Sequence, residues 1–260
     1  MTYTSVLITG ASSGIGKALC HLIAPHTKKL IVTGRRLEAL ESLAKELHPK
    51  TQVEIITADL ALPAERTRII EAIQKNCPSL IINNAGFTLY GDALQYPLTD
   101  QLKIFEVNAA AVLDYTLKAA HTLITQKKTG TILNVASAAA FYLFPSMSVY
   151  AASKAFVVQL SRSLDFELAP YGIRVLVACP GKVDTEFSLR ASGIAKAKKN
   201  CLTMTPEFAA QEIWKQIQNK KPFRIFDWKY RIILFLTHFI PKNFLAVYLR
   251  NTLQERIQRI

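Results

Sequence analysis

Acidic residues are in short supply in this chain. Its 260 residues hold 19 Asp and Glu against 32 Lys and Arg, a formal net charge of +13. The imbalance is local. From Arg190 to Ile260 there are fourteen Lys and Arg and four Asp and Glu, so the first 189 residues are close to neutral. A basic terminal region behind a near-neutral body points to a local anionic partner, such as a membrane surface or an acidic molecule. A solvated basic face is the plain alternative. No nucleic-acid motif or basic groove pattern accompanies the charge, so no nucleic-acid partner is expected.

Other absences narrow the class further. The four cysteines, Cys20, Cys77, Cys179 and Cys201, show no C-x-x-C or His-linked spacing. That argues for reduced thiols in a cytoplasmic protein over a disulfide framework or a zinc site. No metal site is expected. No apolar run reaches the roughly 18–20 residues that cross a bilayer. A first strand beginning within the opening residues leaves no room for a signal peptide. Glycine is scarce at ten residues, with no Gly/Ser linker, low-complexity tract or internal repeat.

What is present is a core. Half the residues are hydrophobic, and 260 residues suit one α/β domain better than two. Strand-like segments recur at 5–8, 30–33, 53–57, 80–83, 131–135 and 173–178. Helix-like segments of suitable apolar spacing lie between them, at 36–47, 63–76, about 102–126 and about 149–169. This alternation predicts a single-domain, doubly wound parallel sheet, Rossmann-like, covered on both faces. In such a sheet ligands bind beyond the carboxyl ends of the strands, where Gly10, Gly34, Gly86 and Gly181 fall.

The stretch Thr9-Gly10-Ala11-Ser12-Ser13-Gly14-Ile15-Gly16 follows the first strand directly and opens an apolar helix. Gly10 lets the chain turn off the strand. Gly14 lets the backbone approach a pyrophosphate, and Gly16 lets the helix pack near the sheet. The helix N-terminus offers N–H groups and a positive dipole end to phosphates. The spacing, three residues and then one, differs from G-x-G-x-x-G.

Tyr150 and Lys154 stand four apart on a predicted helix and share a face. A tyrosine hydroxyl is a poor base near neutral pH, and a neighbouring ammonium favours its phenolate. Such a phenol can give a proton to a carbonyl oxygen or take one from an alcohol. Ser137, at the end of a strand, can hydrogen-bond the same oxygen as charge develops. Hydride transfer needs a nicotinamide, for which the glycine turn provides.

With Asn83-Asn84-Ala85-Gly86, Ser137, Tyr150-x-x-x-Lys154 and Pro180-Gly181 in chain order after the glycine turn, the sequence resembles the short-chain dehydrogenase/reductase family from Val6 to about Thr185. The resemblance implies that Tyr150 is the general acid and base. It makes Lys154 the group that lowers the tyrosine pKa and binds the nicotinamide ribose, and Ser137 the group that polarises the carbonyl. Asn108 matches the asparagine that orders a relay water. Asn83, Ala85 and Gly86 match the segment that supports the sheet and lines the cofactor. Asp59 and Leu60 match the adenine contact, and Thr185, in Pro180-Gly181-Lys182-Val183-Asp184-Thr185, the carboxamide contact. Gly10, Ser12, Ser13, Gly14, Ile15, Gly16, Pro180, Gly181 and Val183 complete the expected cofactor site. Relatives also pair through two long helices, which implies a homodimer or homotetramer.

An NAD site places an acidic residue at the end of the second strand. Here that place reads Thr33-Gly34-Arg35-Arg36. Two guanidiniums and no carboxylate favour NADP(H), with Arg35 the leading ligand of the 2′-phosphate and Arg36 beside it. Ser13 departs from relatives that carry a basic residue before the second motif glycine.

Three segments bear on the substrate. Residues 186–205 occupy the position of a substrate lid and contain Phe187, Leu189, Ile194 and Lys196-Ala197-Lys198-Lys199. The aromatics of Phe141-Tyr142-Leu143-Phe144-Pro145 line a pocket in relatives, with core packing the competing account. Residues 1–227 form the expected catalytic domain, and 228–260 a basic, apolar helical extension. Its runs 232–240 and 244–250 fit an interfacial anchor on anionic lipid, or helices packed on the pocket or on a second subunit. His238 is read as a packed or partly exposed histidine and not as a metal ligand. The expected activity is NADPH-dependent reduction of a lipophilic ketone or aldehyde. A non-catalytic NADP(H)-binding sensor or scaffold at a membrane surface is the alternative.

Overall fold

The computed structural model describes residues 2–187, 202–237 and 247. The chain order is β1 (Tyr3–Thr9), α1 (Gly14–Ile23), β2 (Thr27–Gly34), α2 (Leu37–Leu47), β3 (Gln52–Thr57), α3 (Pro63–Asn76) and β4 (Leu80–Asn83). Then come α4 (Leu98–Phe105), α5 (Ala111–Thr125), β5 (Gly130–Val135), α6 (Ser148–Leu168), β6 (Ile173–Cys179), α7 (Pro206–Gln218), β7 (Phe223–Ile225) and α8 (Trp228–Thr237).

The strands form one sheet in the order β3-β2-β1-β4-β5-β6-β7, and every pairing is parallel. A parallel sheet needs cover on both faces, and the alternation along β1 provides for it. Val6 and Ile8 join Leu30, Leu19, Leu43 and Ile213 on one face. Leu7 joins Ile31, Ile81, Ile69 and Tyr115 on the other. Each such side chain fully removed from water contributes on the order of 1.5–3 kcal/mol.

The helix expected over 102–126 is broken. It starts at Leu98, after Pro97, and widens into a π turn over Glu106–Ala110 before α5. Arg66, buried on α3, donates to the Glu106 carbonyl at 3.3 Å and to its carboxylate at 2.6 Å. That draws the carbonyl out of the ordinary helical ladder at the residue where the π turn opens. Such turns recur at functional sites, and this one carries Asn108.

Cys20, Cys77 and Cys179 are buried free thiols, while Cys201 lies outside the described residues. So do Leu189, Ile194, the lysines at 196, 198 and 199, His238 and most of the second apolar run. No described helix is long and apolar enough to cross a membrane.

Candidate active site

Strand order reverses between β1, which leads out to β2 and β3, and β4, which leads the other way. The loops after these two strands therefore diverge and leave a crevice at their carboxyl ends. Gly10 and Gly14 both have left-handed backbone, with φ +67° and +54°. A Cβ on Gly10 would stand 2.8 Å from Ala85 Cα, and one on Gly14 would stand 2.9 Å from Thr185 Cγ2. Torsion and space both demand glycine at these two places.

Two residues that sequence reasoning left without a role hold this corner. Thr9 Oγ1 accepts the N–H groups of Asn84 and Ala85, each at 3.0 Å. Asn84 Nδ2 donates to the carbonyls of Thr9 and Gly10 at 3.0 and 3.3 Å. The signal was present, since both sit inside the motifs, but reciprocal side-chain to backbone bonding needs three dimensions to be seen.

The crevice opens into a cleft of about 640 Å³. Gly10, Ser12, Ser13, Gly14, Ile15, Arg35, Asp59 and Leu60 line one half. Ala85, Gly86, Ser137, Tyr150, Lys154, Pro180, Gly181, Val183 and Thr185 line the other. Aromatic and apolar side chains also line it, among them Tyr90, Tyr142, Phe144, Met147 and Phe187. Tyr142 and Phe144, expected either in a pocket or in the core, face the cleft. The Phe187 ring stands 5.7 Å from that of Tyr150.

Four expected site residues lie off the cleft wall. Gly16 sits beneath the turn, where a Cβ would collide with the Gly10 carbonyl. Arg36 bonds the Ser12 carbonyl at 3.1 Å and pairs with Glu186 at 3.2 Å across the rim. Asn83 is buried inside the sheet, where its Nδ2 donates to Asn134 Oδ1 at 2.8 Å and to Thr116 at 3.3 Å. Asn108 stands just behind the wall. Its side chain accepts the Phe87 N–H at 3.0 Å, donates to the Phe87 carbonyl at 2.9 Å and reaches Ser153 at 3.3 Å. Ser153 in turn donates to the Tyr150 carbonyl at 2.7 Å. A chain of bonds therefore runs from the π turn to the backbone of Tyr150.

Lys154 is buried, and its Nζ donates to the Val135 carbonyl at 2.9 Å. Burial brings its pKa down from 10.5 to about 8. Burial likewise pushes the Tyr150 phenol up from 10.0 to about 12, opposed by the Ser137 hydroxyl beside it. Burial is the largest influence on each of the two groups.

The cradle fits a dinucleotide. α1 begins after Ser13, whose side chain makes no capping bond, and its first turn holds no carboxylate. Its positive end faces the glycine turn, the place a pyrophosphate would occupy. Arg35 stands exposed at the rim nearby. The adjoining half presents a phenol, an ammonium and a hydroxyl beside the same cavity.

The short chain dehydrogenase family pattern matches residues 4–192. The chain belongs to the short-chain dehydrogenase family. A sulfoacetaldehyde reductase of Chromohalobacter salexigens is 35% identical over 225 residues, covering 82% of this chain and 85% of the relative. A very-long-chain 3-oxoacyl-CoA reductase-like protein of Arabidopsis thaliana is 32% identical, covering 91% and 77%. A solved short-chain dehydrogenase from Sphingobium yanoikuyae, in complex with NADPH, superposes with a TM-score of 0.80 at 29% identity, covering 85% and 87%. The protein is thus an oxidoreductase acting on carbonyl and alcohol groups, and members of its family bind nicotinamide cofactors.

Proposed function

We propose that this dehydrogenase reduces a lipophilic ketone or aldehyde with NADPH, reversibly. The observation that carries the reading is the meeting of Ser137, Tyr150 and Lys154 at one apolar, aromatic cleft. A bound nicotinamide would supply the hydride. In the direction of reduction, the Tyr150 phenol gives its proton to the carbonyl oxygen. Ser137 hydrogen-bonds the same oxygen as negative charge grows on it. Lys154 sets an ammonium behind the phenol, and Asn108 fixes the Phe87 turn and, through Ser153, the helix that carries Tyr150.

Support for NADPH over NADH comes from Arg35 at the end of β2, where an NAD site would carry a carboxylate. Support for a lipophilic substrate comes from the ring of Tyr90, Tyr142, Phe144 and Phe187. In our reading residues 1–227 are the catalytic domain and 228–260 an extension that packs on the pocket through Tyr230 and turns an exposed apolar face toward an anionic membrane surface. Trp228, Phe235 and Leu236 each lie three or four residues from Ile232, and all four are exposed on α8. Self-association as a homodimer or homotetramer through α4 to α6 is supported by exposed Leu98, Leu102, Phe105 and Phe166.

The test is a panel of carbonyl compounds offered with NADPH and with NADH, read by cofactor absorbance. Consumption of NADPH with long-chain or bulky carbonyls, and little with NADH, is expected. Binding of NADPH with no turnover of any carbonyl would favour the sensor reading.

A further inference from the structure

The last described helix, α8, reaches the cleft through one side chain. Tyr230, on the first turn of α8, is buried and lines the cavity. Its hydroxyl accepts the Lys182 N–H at 2.7 Å and donates to the Leu202 carbonyl at 3.2 Å. Those two residues begin and end a paired base. Val183 bridges Met204, Asp184 N–H donates to the Met204 carbonyl at 2.8 Å, and Met204 N–H donates to the Lys182 carbonyl at 2.9 Å. The Tyr230 hydroxyl therefore ties together the two stems that flank the segment expected to cover the substrate.

Gly181 records the same contact. Its backbone is outside the left-handed region, so torsion does not demand glycine there. Space does, because a Cβ on Gly181 would fall within the Tyr230 ring. Tyr230 lines the same cleft as Tyr142, Tyr150 and Tyr90.

We propose that Tyr230 is a positioning residue for the carbonyl substrate, a strut by which α8 holds the Gly181–Lys182 turn and Leu202 in register. The proposal rests on reading the cleft as a carbonyl reductase site. It makes α8 part of the substrate half of the active site rather than an appendage.

Two measurements test it. In the first, Gly181→Ala is made in the wild-type chain and in a Tyr230→Ala chain, and melting temperatures are compared. The substitution should lower the melting temperature clearly with the ring present and far less with it removed. Equal losses in both backgrounds would overturn the contact. In the second, Tyr230→Phe keeps the ring and removes the hydroxyl. It should raise KM for the carbonyl roughly fivefold or more, and clearly more than it raises the dissociation constant of NADPH, whose site the Gly181–Lys182 turn also borders. An unchanged KM, or an equal loss of NADPH binding, would overturn the positioning role alone. Absence of carbonyl turnover in the wild-type enzyme with NADPH bound would overturn the reductase reading and this role with it.

Discussion

The Lys154 Nζ lies 5.9 Å from the centre of the Tyr150 ring, one helical turn away, and gives its hydrogen bond to the Val135 carbonyl instead of to the phenol. The pair is close enough for an electrostatic influence but is not joined. Each member is burdened by burial, and their pKa values move in opposite senses, the phenol up and the ammonium down.

That burden sets a pH dependence of stability. Lys154 titrates near 8 in the folded protein and near 10.5 when unfolded. Between those values the unfolded chain binds more protons, so stability rises with pH across that window. Below about pH 8 the penalty is constant, on the order of 3 kcal/mol. Chemical unfolding at a series of pH values should show wild type gaining on Lys154→Met from about pH 8 to about pH 10. Parallel curves would mean that the ammonium is not desolvated.

We propose that Arg35 selects between the nucleotides. Arg35→Ala should weaken NADPH by roughly tenfold or more and leave NADH nearly unchanged. Fluorescence titration with both nucleotides measures this. Equal losses would remove Arg35 from the 2′-phosphate.

Asn83 lies inside the sheet, and its substitution should separate stability from binding. Asn83→Ala removes the donor to Asn134 and Thr116 and should cost about 1–3 kcal/mol of stability. The NADPH dissociation constant should not move, because the side chain does not reach the cleft wall. A selective loss of nucleotide binding in a stably folded variant would contradict this placement.

Much of this was legible in the sequence because it is written in local pattern. The apolar runs at 30–33, 80–83 and 131–135 became β2, β4 and β5 with small changes of boundary. The helix at 206–218 begins with Thr205, whose side chain accepts the Phe208 N–H, and with Pro206 at its first position. Motif order brought Ser137, Tyr150 and Lys154 to one cavity. Three features were not legible. The π turn depends on Arg66 reaching Glu106 from another helix. The Tyr150 pKa depends on how deeply the phenol is buried, which residue spacing does not state. The Tyr230 contact joins residues 48 apart in the chain and carries no motif. Each arises from tertiary packing, where propensity and periodicity have no purchase.

The most direct test of the central claim is turnover by Tyr150→Phe with NADPH and a carbonyl that the wild-type enzyme reduces. The phenyl ring preserves packing and removes only the proton donor. NADPH should bind as in wild type, and kcat should fall by roughly 10²- to 10⁴-fold, the range of a lost general acid. Turnover at the wild-type rate in a variant that binds NADPH normally would contradict the account.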